Sequence, residues 1–365
     1  MKSTDANRYR FTDHYALAKL PYFELRDQRL VISDPSFGPA IDMHTHLGNS
    51  YYIGRPIDLE HQTPRTELWL PMEAAIDLDV YVNQNVSGAH RRRIGIEIGL
   101  RGAFDPIGGG MRSSMTMPNL ARDMRDLGIV RSAVLPIDLA RFSKNAVRTL
   151  QAIQGRDAFI ALGSVHPAAP NPAALLDQQQ QLGARGIKLH PNVQKIRPDE
   201  PRTIALQRLC ADRGLFILWH CGPAGIEFWS AQQRSQVRFY EKAIAEIPHG
   251  KFVLGHSGAL QVDLALDLAR RYDNVWLELS CQSLTSIRRI LENGPRDRLL
   301  FGSDWPMYHQ AIPLAKILIA TEGASDLRRQ VLHDNALRLL GQHQGTADAN
   351  RSARHAEANA GGDRH

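Results

Sequence analysis

The residues of this chain best suited to chemistry are histidines and one carboxylate, and all of them stand at the ends of apolar runs. His44 and His46 lie two apart in Ile41-Asp42-Met43-His44-Thr45-His46, His220 and His256 each close a further run, and Asp304 ends Phe301-Gly302-Ser303-Asp304. Imidazole nitrogens and a carboxylate oxygen are the usual ligands of a borderline divalent cation such as zinc, which in catalytic sites keeps an open position for water. With 15 histidines in 365 residues, a single His-x-His pair arises easily by chance. The shared placement of all five residues at run ends is the signal. His44, His46, His220 and Asp304 would supply the donors, and the cation would bring a bound water's pKa toward neutrality. Asp304 would then take the water's proton as general base, while His256 orients that water or polarises a substrate carbonyl.

Positioning these groups requires a scaffold that delivers several strand ends to one place. Eight runs rich in Val, Ile, Leu and Phe recur: Ala40–Leu47, Ile129–Asp138, Phe159–His166, Gly186–His190, Leu215–Cys221, Phe252–Ser257, Val275–Cys281 and Leu299–Asp304. Near-continuous apolar runs suit parallel strands buried on both faces. Between them, Pro172–Leu182, Thr203–Arg213, Val237–Ile247, Leu260–Tyr272 and Ala311–Thr321 carry apolar residues at three- and four-residue spacing, the mark of amphipathic helices. Repeated strand–helix units of this number predict an α/β fold, a closed (β/α)8 TIM barrel, whose functional groups collect at the C-terminal rim. An open doubly wound sheet is the alternative, but no glycine-rich phosphate loop follows the first run. Side chains two apart share a face, so Asp42, His44 and His46 are expected on one face of the first strand, and Lys188 and His190 on one face of the fourth.

Three segments lie outside the repeat. Residues 1–39 read as an N-terminal cap with a hairpin of Tyr22–Leu25 and Arg29–Ile32 around Asp27-Gln28. Residues 48–116 are an insertion within the 40–341 barrel, expected to form a lid or wall, with a helix over Pro71–Asn83 and a flexible joint at Gly108-Gly109-Gly110. Residues 342–365 are polar and aperiodic and are expected to be disordered.

Composition narrows the class. At 43% hydrophobic and 22% charged, with net charge +6, the chain has the balance expected of a soluble globular protein. Its basic residues are scattered, Arg91-Arg92-Arg93 excepted, and that run reads as a solvated loop or an anion-binding patch. Nothing resembles a nucleic-acid module, and no run has the length of a membrane span. Three unpaired cysteines (Cys210, Cys221, Cys281) and an N-terminus without an apolar signal region lead us to expect a cytoplasmic protein. A homodimer is expected only because it is the commonest symmetric assembly.

Met43-His44-Thr45-His46, Gly186-Ile187-Lys188-Leu189-His190-Pro191, Trp219-His220-Cys221-Gly222, Gly255-His256-Ser257-Gly258 and Phe301-Gly302-Ser303-Asp304-Trp305-Pro306 together resemble the amidohydrolase superfamily. Within it they are most similar to the amidohydrolase-related group of metal-dependent hydrolases and aminocarboxymuconate-semialdehyde-type decarboxylases. The resemblance spans about residues 40–341. It implies one divalent metal, zinc first, held by His44, His46, His220 and Asp304, with His256 beside the metal water. It also leaves two readings of Lys188. A carbamylated lysine would bridge two metals, with His220 and His256 on the second; an unmodified lysine would be ion-paired or would grip a substrate carboxylate.

The remaining candidates carry structural alternatives of equal simplicity. His166 and His190 are structural histidines or substrate contacts. Glu278 is the partner of a ligand imidazole or half of a buried ion pair, and Cys221 and Cys281 are small apolar fillers. Tyr51, Tyr52 and Trp69 line a pocket or pack a lid, and Arg91–Arg93, Arg101 and Arg112 are candidates for gripping an anionic small-molecule substrate. The leading expectation is a hydrolase acting on an amide, lactone or ester carbonyl. Non-oxidative decarboxylation of an unsaturated or aromatic acid is the rival, and a barrel that only binds is the last alternative.

Overall fold

The computed structural model describes residues 8–342 apart from Phe142; the polar tail expected to be disordered lies almost wholly outside the described residues. The eight runs form parallel strands: β1 (Ala40–Thr45), β2 (Ile129–Val134), β3 (Phe159–Gly163), β4 (Gly186–Leu189), β5 (Phe216–His220), β6 (Phe252–Gly255), β7 (Val275–Glu278) and β8 (Leu299–Leu300). They pair in chain order from β1 to β8. The ring closes because the chain beyond β8 stays alongside β1: Met43 N donates to Phe301 O at 2.9 Å, Asp304 N to His44 O at 2.8 Å and His46 N to Trp305 O at 2.7 Å. The result is the (β/α)8 barrel predicted from the runs. Helices over Pro172–Gln181, Pro201–Asp212, Glu241–Glu246, Val262–Arg271 and Ala311–Ala320 occupy the segments whose spacing predicted them. The first starts where Asn171 accepts from Ala174 N with Pro172 at the first helical position, a local stop-and-start signal of the usual kind.

The barrel interior is filled by Ile41, Met43, Ala133, Leu135, Ile160, Leu162, Phe216, Leu218, Val253, Trp276 and Leu300, and Ala336, Leu339 and Leu340 pack against them. Leu218 and His220 share a face of β5, and Trp276 and Glu278 share a face of β7, so the polar groups form the next layer above this apolar plug. Along β1, strict alternation fails. The register with β2 shifts between Asp42 and Thr45, and both Met43 and His44 join the interior: Met43 in the apolar cluster, His44 against Glu278. A bulge of this kind puts two successive side chains on one face. Asp42, expected beside the histidines, turns instead to Ser303 and Gln310.

The N-terminal hairpin forms as Phe23–Arg26 and Arg29–Ile32, turning through Asp27 and Gln28, both at positive φ. The helix expected over Pro71–Asn83 does not form. That segment holds a short strand, Ile76–Asp77, paired with Arg10–Phe11, and its alternation of buried Ile76 and Leu78 with less buried Asp77 and exposed Asp79 has a period of two. The long helix of the insertion is Gly88–Phe104, started by Ser87 accepting from His90 N, and it absorbs Arg91–Arg93, expected in a loop. Gly110 opens a short 3-10 turn pressed against Arg101 and Glu97. No helix among the described residues is long and apolar enough to cross a membrane, and all three cysteines are buried and free.

Candidate metal centre

Glu278, fully buried at the end of β7, organises the site. Its Oε2 lies 2.6 Å from His44 Nδ1 and accepts from His256 N at 3.1 Å and from Ser280 Oγ at 2.8 Å, while Oε1 accepts from Ser280 N at 2.5 Å. Ser280 Oγ in turn lies 2.7 Å from His256 Nδ1. The hydroxyl proton goes to Glu278, so His256 must donate from Nδ1. His44 also donates from Nδ1, and His46 does the same toward the carbonyl of Leu135 at 2.8 Å. With each Nδ1 protonated, the Nε2 atoms of all three imidazoles are left as acceptors. The tautomers thus follow from the network itself, and the Glu278–His44 contact has the geometry expected of a carboxylate that orients a ligand imidazole.

His44 Nε2, His46 Nε2 and Asp304 Oδ1 converge. Asp304 Oδ1 is 3.4 Å from His46 Nε2 and 3.7 Å from His44 Nε2, and one donor atom from each of the three residues lies within 4.8 Å of the others. Lys188 Nζ approaches His44 Nε2 at 3.1 Å. His220 stands at the next strand end. Its ring stacks on His190 at 4.1 Å and meets His256 edge-on at 4.9 Å, and its Nε2 is buried without a hydrogen-bond partner among the described residues. Two nitrogens, one oxygen and a nearby orphaned nitrogen suit a divalent cation of the zinc or manganese type. Cys281 also approaches His256 and Asp304, and burial with the charges of Asp304 and Glu278 holds its thiol well above the ordinary range.

Close backbone approach makes the cluster possible. A Cβ on Gly302 would collide with the Glu278 carboxylate and the His44 side chain, so only glycine fits there. Asp42 ties the His-x-His segment to the Gly-Ser-Asp turn. It accepts from His44 N at 3.1 Å, Ser303 N at 2.9 Å, Ser303 Oγ at 2.6 Å and Gln310 Nε2 at 2.6 Å.

Electrostatics divide the cluster into bases and one acid. Burial, together with Lys188 and the other histidines, holds His44 well below the ordinary imidazole range. Burial also dominates in lowering His256, against the opposing charge of Asp304. Burial opposes ionisation of Asp304, but the neighbouring His46, His256 and Lys188 leave its pKa below the usual carboxylate value. Glu278 is pushed up by burial to about 7 against its four donors. Lys188 is brought down by burial to about 8, with Asp304 and Glu278 opposing. At neutral pH it remains a proton donor.

Above the cluster lies a cavity of about 430 Å³, lined by all of these groups except Glu278 and, at the sides, by Tyr51, Tyr52, Trp69, Tyr81 and Tyr308. Tyr51, Tyr52 and Trp69, read from the sequence as lining a pocket or packing a lid, line this cavity. His190 also lines it while capping the short helix Pro191–Gln194. His166 lies elsewhere, bonded to Gln194 O and Ala168 N as a structural histidine. Arg112 reaches the wall, but four of its five N–H groups are committed to Asn49 O, Arg101 O, Arg55 O and Asp105. Arg91 bonds the carbonyls of Asn83, Val86 and Gly225. Sequence reasoning assigned no role to Asp42 or Ser280. Asp42, two residues before His44 in an apolar strand, was the visible hint; Ser280 had none.

The sequence profile of the amidohydrolase family matches residues 41–342. No curated protein matches the chain. Among solved structures, an uncharacterised TIM-barrel protein of Bordetella bronchiseptica is 17% identical over 84% of this chain and 99% of its own, with a TM-score of 0.57. A probable 2-pyrone-4,6-dicarboxylic acid hydrolase of Acinetobacter baumannii, with citric acid bound, is 12% identical over 83% of this chain and 99% of its own (TM-score 0.52). A 5-carboxyvanillate decarboxylase of Novosphingobium aromaticivorans, complexed with manganese and 4-hydroxy-3-methoxy-5-nitrobenzoic acid, is 13% identical over 84% and 97% (TM-score 0.57). At these identities the likeness concerns the fold. The match along the barrel, from the first residues of β1 onward, shows that the chain belongs to the amidohydrolase family.

Proposed function

We propose that this protein is a metal-dependent hydrolase that cleaves a small, largely apolar ester, lactone or amide. The observation that carries this reading is the convergence of two proton acceptors, Asp304 and His256 Nε2, on a cavity whose side walls are aromatic and aliphatic. His44, His46 and Asp304 would hold the cation, with His220 as a further donor, and zinc is the first candidate. When bound there, a divalent cation supplies Lewis acidity that makes water nucleophilic near neutral pH and polarises a carbonyl. Asp304 takes the proton of the attacking water and returns it to the departing oxygen or nitrogen. His256 Nε2 accepts the water's second hydrogen and aims it. Lys188, unmodified, donates toward the substrate's carbonyl oxygen.

A second reading is favoured by one specific observation. Among the described residues, Lys188 is the only cation lining the cavity whose donors are not largely committed, and it sits at the reactive end. A substrate carboxylate would therefore be drawn to the cluster rather than to the far wall, as loss of CO2 requires, and the decarboxylase among the similar structures agrees with that chemistry. The carboxylate would leave as CO2, its bonding electron pair would stay on carbon, and Lys188 would protonate that carbon.

One experiment separates the two readings. The protein, loaded with zinc or with manganese, is given aryl esters, lactones and anilides in one set and aromatic or unsaturated acids in another. Acid release from the neutral set, abolished by Asp304→Asn, supports hydrolysis. CO2 release from the acids, with the neutral set untouched, overturns it.

A further inference from the structure

Gln282 and Lys316, neither of which lines the cavity, adjoin the turn that carries His256. The segment His256-Ser257-Gly258-Ala259 runs through four consecutive positive φ values, 55°, 46°, 82° and 49°. Only the third is glycine, so the other three are strained and must be held by their surroundings. Backbone hydrogen bonds of a regular element are not available to such a turn. The Gln282 side-chain amide replaces them. Its Nε2 donates to His256 O at 2.6 Å and to Ala259 O at 2.8 Å, closing a strap across both ends of the turn.

Gln282 is itself held from below. Lys316, 1% exposed on the helix Ala311–Ala320, donates from Nζ to the backbone carbonyl of Gln282 at 2.7 Å. It forms no ion pair among the described residues. An ammonium buried with a single hydrogen bond is costly relative to an apolar side chain of the same size, and neither the metal cluster nor the cavity contains it. On the opposite side, Ser257 Oγ donates to Glu278 O at 2.9 Å, and His256 N donates to the Glu278 carboxylate.

We propose that Lys316 and Gln282 are positioning residues that act in series, Lys316 on Gln282 and Gln282 on the left-handed turn, to fix the His256 imidazole against Ser280 and the metal cluster. The consequence for the proposed hydrolase is that His256 keeps one orientation through the reaction. The inference rests on that reading only for its catalytic consequence; the positioning itself is a property of the unliganded chain.

The test uses the full chain labelled with 13C at histidine Cε1, with the His256 signal assigned by its loss in His256→Gln. Gln282→Leu removes the strap, and Lys316→Met replaces the ammonium with an apolar side chain of similar length. In both variants the His256 signal is expected to shift and broaden, while those of His166 and His249 stay in place and the melting temperature moves by only a few degrees. With a substrate in hand, kcat falls about 10-fold or more while KM holds. An unmoved His256 signal in folded Lys316→Met or Gln282→Leu overturns the proposal. If Gln282→Leu does not fold, Lys316→Met decides alone. A moved His256 signal in a protein that hydrolyses none of the neutral panel leaves the positioning intact and overturns the hydrolase reading instead.

Discussion

Glu278 Oε2 lies 2.6 Å from His44 Nδ1 with both side chains fully buried, so one carboxylate of β7 fixes the tautomer and the direction of an imidazole on β1. The same carboxylate reaches His256 through Ser280. Replacing it by an amide, Glu278→Gln, keeps the volume but puts an N–H donor where one of the two acceptor oxygens stood. Metal affinity, measured by competition with a chelator, is expected to fall about 10- to 100-fold, the usual cost of losing such a partner. Unchanged affinity would show that His44 orients itself without it.

Asp42 joins β1 to the turn that carries Asp304 through four donors. Asp42→Leu leaves these buried donors unsatisfied at about 1–3 kcal/mol each. A loss of about 3 kcal/mol or more in urea denaturation is expected, with metal affinity falling in parallel because the Asp304 turn loses its anchor. Wild-type stability in the variant would mean that the turn is held from elsewhere.

His14 carries the clearest pH dependence of stability. It is completely buried, neither ring nitrogen has a hydrogen-bond partner among the described residues, and burial with nearby His309 lowers its pKa to about 3, Asp13 opposing. The unfolded chain takes up a proton at this residue near pH 6.5 while the folded chain does not, so stability is lost as pH falls through 6.5 toward 3. Between pH 7.5 and pH 5 the wild type should lose about 2 kcal/mol more than His14→Leu, from 1.36 kcal/mol per pKa unit. Denaturant titrations of both proteins at the two pH values measure the difference; equal losses would mean that His14 is solvated or charged in the fold.

Arg112 binds the insertion together rather than standing free in the cavity. Three of its contacts are backbone carbonyls at Asn49, Arg55 and Arg101, far apart in sequence. Arg112→Met is expected to open the insertion locally while leaving the barrel folded. Limited proteolysis should then cut within 48–116, with little change in the main thermal transition. A variant as resistant as wild type would argue against this role.

What could be read from the sequence follows from which forces are local. The strands were legible because a parallel barrel buries both faces of each strand, leaving apolar runs that end where the polar rim begins, as at His220 and His256. The bulge in β1 was not, since nothing in Ile41-Asp42-Met43-His44 announces that Met43 and His44 share a face. Pro71–Asn83 mimicked a helix because Met72, Ala75 and Ile76 fall at helical spacing, while the pairing of Ile76–Asp77 with Arg10–Phe11 is decided by a distant strand. The bonds of Glu278 to His44, Gln282 to His256 and Lys316 to Gln282 join residues of different elements, so only the folded chain brings them together.

The most direct measurement is the metal content of the purified full chain and of His44→Ala, His46→Ala and Asp304→Ala, by elemental analysis after equilibration with zinc. One ion per chain in the wild type, falling to near zero in each folded variant, is the expected result. Undiminished metal in the variants would contradict a centre at these residues, and two ions per chain would contradict an unmodified Lys188.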